Sequence, residues 1–152
     1  MSTRNRTSTI AWIVAHLVYP LLPASLEALI RFVVFNWSFR LDTINSATLS
    51  MSLALVAVFV NQSIRTEESR LSDKDEEASR NGVCVFFTIM AIVYFVLFGV
   101  ITLLGTLVMD PHLMQLRPIL EGFQVLTFVF SAIPLLSAIA AQRTYKLRAS
   151  LV

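Results

Sequence analysis

Residues Val83 to Met109 form a run of 27 amino acids without one charged side chain. As a helix this run would be roughly 40 Å long, more than the ~30 Å hydrocarbon core of a bilayer. It therefore predicts a membrane span that tilts or protrudes. Three further apolar stretches accompany it. The first runs from Thr9 to Phe35, cleanest between Ile10 and Leu26. The second covers Ile44 to Ile64 and is also uncharged, and the last covers Pro118 to Ala141. Only 14% of the chain is charged, against about 25% in soluble domains, and the charges gather in short patches between the apolar stretches. The expected fold is all-α, a single transmembrane domain over residues 1–152 built as a four-helix bundle and assembled as a homo-oligomer in a lipid bilayer.

Local chemistry refines these spans. Pro20 and Pro23 lie inside the first and Pro134 inside the fourth, where each removes a backbone donor and predicts a kink or break. Asp110-Pro111 ends the third span, and Pro118 suits a helix start. Trp37 suits a bilayer interface. Arg4 and Arg6 precede the first apolar run as they would in a signal peptide. The run is read as a retained span, because removing it improves no loop alternation.

Orientation follows from the positive charges. Two lie before the first span, four between Arg65 and Asn81, and three in the tail, whereas Arg31, Arg40 and Arg117 fall on the other side. Nine against three places both termini and the 65–81 loop in the cytoplasm, in the inner membrane of a bacterium. The loop mixes its basic residues with six acidic ones. It is a candidate dock for a soluble cytoplasmic protein through Arg70, Asp73, Lys74, Asp75 and Glu76. Its mixed signs, and the absence of a basic stripe with interleaved aromatics, argue against nucleic acid.

The residues for catalysis are few. His16 and His112 are the only histidines and Cys84 the only cysteine. A transmembrane haem needs paired axial ligands, a thiol oxidoreductase needs several cysteines, and an intramembrane protease needs paired acidic, Ser/His or zinc-binding groups. The expectation is a non-enzyme without cofactor or metal.

Two features suggest transport. In the second span Ser46, Ser50, Ala54, Ala57 and Asn61 recur at intervals of three and four, forming one small or polar helical face. Such a face lets helices pack closely, or lines a narrow water path. At the outer membrane face, Glu27 with Arg31 and Arg117 with Glu121 form two i,i+4 pairs. They either mark the interface or rim the mouth of a pore. Gly99, Thr102, Gly105 and Thr106 form another small face on the third span, read as helix packing. Gln124, Thr127, Ser131 and Ala138 share one side of the fourth.

The second span opens with Ala47-Thr48-Leu49-Ser50 and exits through Ser63-Ile64-Arg65-Thr66 and Arg70-Leu71. In this layout the chain resembles the four-span phage-exclusion membrane proteins of the RexB type, and its plan is similar to the membrane subunit of Kiwa-like anti-phage systems. The likeness covers about a third of the chain, and the acidic residues of the loop depart from it. It implies an oligomeric, ion-conducting effector that depolarises an infected cell. The leading expectation is thus an oligomeric ion channel or pore-forming effector of phage defence or exclusion. The alternatives are a non-conducting anchor that recruits a soluble partner through the 65–81 loop, and a small proton-coupled transporter using Glu27. Small multidrug transporters also have four spans and a membrane Glu in the first, but with tighter loops and the Glu near mid-span.

Overall fold

A computed structural model describes residues 9–34, 37, 44–68, 74–145 and 147. All of the described elements are helices, and four of them are long and apolar enough to cross a membrane. The chain is a membrane protein. Helix α1 runs Thr9–Val34, α2 Ser46–Glu68 and α3 Lys74–Leu107. After a 3-10 turn at Pro111–Leu116, the fourth span is built from α4, Arg117–Phe130, and α5, Ala132–Tyr145. Four antiparallel crossings bring the start of α1 and the end of α5 to one end of the bundle, the terminal end; the opposite end is the far end.

The prolines act as their chemistry requires, with one difference from expectation. Pro20 and Pro23 do not break α1. A π-helical turn at Val14–Val18 precedes them, and the Tyr19 N–H closes it on the Val14 carbonyl. This wider turn shifts the hydrogen-bond register just before Pro20, whose ring would otherwise press on the preceding turn. In the fourth span the helix is interrupted at Ser131, whose N–H bonds to the Phe128 carbonyl instead of one four residues back. Pro134 cannot donate to the Phe130 carbonyl. The Tyr94 hydroxyl of α3 donates to that carbonyl at 2.7 Å and so satisfies it.

Span two is the hub. Half of its apolar window is buried, against 28% in α3 and 17% in each of the other two spans. It packs antiparallel along α3 and also touches α1, α4 and α5. In lipid no hydrophobic force draws helices together, so close packing and hydrogen bonds must do so. The small residues Ala54 and Ala57 are buried and permit that approach. One core cluster, at the terminal end, contains Trp12, Val60, Ile64, Phe87, Ala138 and Leu147. A second, at mid-bundle, joins Leu53, Ala54, Tyr94 and Leu97.

The outer surfaces are apolar. Leu29, Ile30, Ile92, Phe95, Val129 and Leu136 are exposed, as lipid-facing side chains are. Gly99, Thr102 and Thr106 lie on this surface too and Gly105 is half-buried. A Cβ built on Gly99 or Gly105 meets no atom within 4 Å, so neither glycine makes a close helix contact among the described residues.

Candidate functional site

A cavity of about 750 Å3 lies at the far end, between the end of α1, the start of α2 and the first turns of α4. Its polar wall is Arg31, Asn45, Ser46, Arg117, Glu121 and Gln124; its apolar wall includes Ile44, Val108, Leu120 and Phe128. The size suits a small solute or a partly hydrated ion.

Each charge is held in place. Arg31 uses Nε and Nη2 against Glu27 Oε1 at 3.0 and 2.7 Å. The same Glu27 accepts from Asn45 Nδ2 at 2.8 Å and, through its other oxygen, from the Thr48 hydroxyl. The carboxylate therefore ties α1 to the start of α2. Asn45 completes the joint by capping α2, its Oδ1 accepting the Ala47 N–H at 3.0 Å. The second pair, Arg117 Nε to Glu121 Oε1 at 3.1 Å, is more than 60% exposed on both sides and contributes little stability. Both ion pairs expected from the sequence meet here: Arg31, Arg117 and Glu121 line one cavity, with Glu27 behind Arg31.

The small face of α2 leads inward from this cavity. Ser46 lines it, and the Ser46 carbonyl accepts the Ser50 hydroxyl at 2.8 Å. Ser50 meets the Thr127 hydroxyl of α4 at 3.4 Å. Both are fully buried. Deeper still, Leu53, Ala54, Tyr94 and Leu97 close the bundle with apolar contacts. Beyond this plug, Asn61 Nδ2 donates to Thr88 Oγ1 at 2.9 Å while the buried Asn61 Oδ1 has no hydrogen-bond partner among the described residues. Trp12 Nε1 donates to the Ser63 hydroxyl at 2.7 Å. Ser46, Ser50, Ala54 and Ala57 are thus buried within a single bundle and Asn61 is half-buried. This face is packed against the other helices of the same chain.

Arg70 and Asp73 of the expected partner-binding loop lie outside the described residues, as do the side chains of Lys74, Asp75 and Glu76 in the first turn of α3. Reading the sequence did not find the roles of Asn45 and Thr48 beside Glu27. Their polar type at the start of a span was the available signal, but their partner is some 20 residues away. Comparison with known proteins finds no matching family model, no similar curated protein and no similar solved structure.

Proposed function

We propose that this chain is a gated ion-conducting membrane protein whose route runs through its own bundle, along the inner face of α2. The observation that supports it is the charged cavity at the far end, continued inward by Ser46, Ser50 and Thr127 and stopped by the apolar plug around Tyr94 and Leu97. An apolar constriction is one way in which a pore gates, by dewetting. On this reading the arrangement corresponds to a closed state, with the cavity as a vestibule at the far end.

In this reading both termini are cytoplasmic, in a bacterial inner membrane, because nine of the twelve basic residues fall on that side. The vestibule then faces outward. The exposed small residues Gly99, Thr102 and Thr106 are where a second copy packs to form the homo-oligomer. The resemblance to phage-exclusion proteins supplies a setting, depolarisation of an infected cell.

The test is ion flux through purified protein in liposomes, comparing the wild type with Ser50→Ala/Thr127→Val. Both substitutions keep the packing volume near native, whereas Ser50→Leu would overfill a fully buried site. Removing the two buried hydroxyls of Ser50 and Thr127 should lower flux at least about tenfold if the ion is solvated there, the free energy of one or two lost hydrogen bonds. Unchanged flux in a folded double variant removes the route through α2.

A further inference from the structure

Arg80 belongs to no part of that route. It sits on α3 at the terminal end, two residues inside the stretch long and apolar enough to cross a membrane, Ala78–Leu107. Its residue exposure is 2%, and it is the one charged side chain among the buried described residues. The carbon of its guanidinium lies over the Tyr145 ring, 5.4 Å from the centroid. Nε and Nη2 are both buried and make no hydrogen bond among the described residues.

Those two nitrogens are informative together. They form one edge of the guanidinium, whose parallel N–H groups match two oxygens of a carboxylate or phosphate. Arg31 shows the same edge in use, with Nε and Nη2 both on the Glu27 carboxylate. A lysine or histidine in this position could shed its proton, but arginine cannot. With no counter-charge among the described residues, a buried guanidinium is strongly unfavourable, so the unpartnered Nε and Nη2 call for an anion. Near the end of a span, the depth is that of lipid headgroup phosphates.

We propose that Arg80, its face held by Tyr145, is a phosphate-binding point at the terminal end of the bundle. The shared chemistry is a phosphate group, from either a phospholipid headgroup or free inorganic phosphate. The proposal stands apart from ion conduction.

The full chain, delipidated and checked for residual lipid by native mass spectrometry, is melted in neutral detergent and followed by circular dichroism. One arm adds sodium phosphate against sodium chloride at equal ionic strength. The other adds phosphatidylglycerol against an uncharged glycolipid. At least one phosphate source should raise the melting temperature of the wild type over its control. Arg80→Met should lose that shift, and Arg80→Lys, a point charge without the two-donor edge, should keep less than about half of it. A shift with inorganic phosphate identifies the free anion; a shift with phosphatidylglycerol alone identifies the headgroup. No shift from either source, or an equal shift in Arg80→Met, overturns the proposal. Should Arg80→Met not fold, Arg80→Lys decides: a full wild-type shift in it overturns the two-donor edge. Conduction that is normal in a variant lacking the phosphate shift separates this site from the conduit.

Discussion

Glu27 is the residue on which the far end turns. Its carboxylate accepts from Arg31, Asn45 and Thr48 and thereby joins two spans. Glu27→Gln keeps the shape but weakens every one of these bonds and leaves Arg31 facing a neutral group. With Glu27 and Arg31 30% and 39% exposed, water screens part of the loss, so the expected cost is about 1 kcal/mol. An unfolding titration in mixed micelles measures it. Thr48→Val should cost about the same, and the two losses should not add, since they remove one shared interaction. Additive losses would mean that Thr48 does not hold Glu27. The surface pair Arg117 and Glu121 gives the contrast: Glu121→Gln should leave stability within about 0.5 kcal/mol of the wild type.

At the scale of elements, the fourth span depends on a bond from its neighbour. Pro134 leaves the Phe130 carbonyl without its helical donor, and the Tyr94 hydroxyl takes that place. Tyr94→Phe should therefore cost about 1–2 kcal/mol, the penalty for an unsatisfied buried acceptor. Pro134→Ala restores a backbone N–H within reach of the same carbonyl. In that background Tyr94→Phe should become nearly neutral. A full cost in both backgrounds would show that the hydroxyl acts elsewhere. The π turn of α1 serves a similar purpose, displacing the register before Pro20 so that the helix continues to Val34.

At the scale of the whole molecule, the open questions are assembly and direction. Gly99 faces outward with no atom near a built Cβ, so Gly99→Leu should leave the single bundle as stable as before. If the small face is where copies meet, the same change should turn the oligomer into monomer in crosslinking and sedimentation experiments. An unaltered oligomer would move the interface elsewhere. Direction can be read by placing a single reactive cysteine in a Cys84→Ser background. Gln115→Cys, on the exposed turn between α3 and α4, should react with a membrane-impermeant thiol reagent in intact cells, whereas a cysteine at Arg143 should not. The reverse pattern would invert the orientation and turn the vestibule to the cytoplasm.

The number of spans and their approximate limits were legible in the sequence, because membrane crossing depends on the length of an apolar run, a local and one-dimensional property. The spacing of Ser46, Ser50, Ala54 and Ala57 likewise sufficed to place them on one face, since helical geometry is fixed. What that face meets was not legible: lipid and protein interior are both apolar, so hydropathy cannot distinguish an inward face from an outward one. Packing alone turned the α2 face into its own bundle and left Gly99, Thr102 and Thr106 of the similar α3 face exposed. It also gathered Arg31, Arg117 and Glu121 around one cavity, and gave Glu27 the partners Asn45 and Thr48 from another span. It buried Arg80, which reads in the sequence as one more positive charge in a loop and whose Nε and Nη2 have no hydrogen-bond partner among the described residues. Those outcomes depend on contacts between residues far apart in the chain, and they arise only when the helices are brought together.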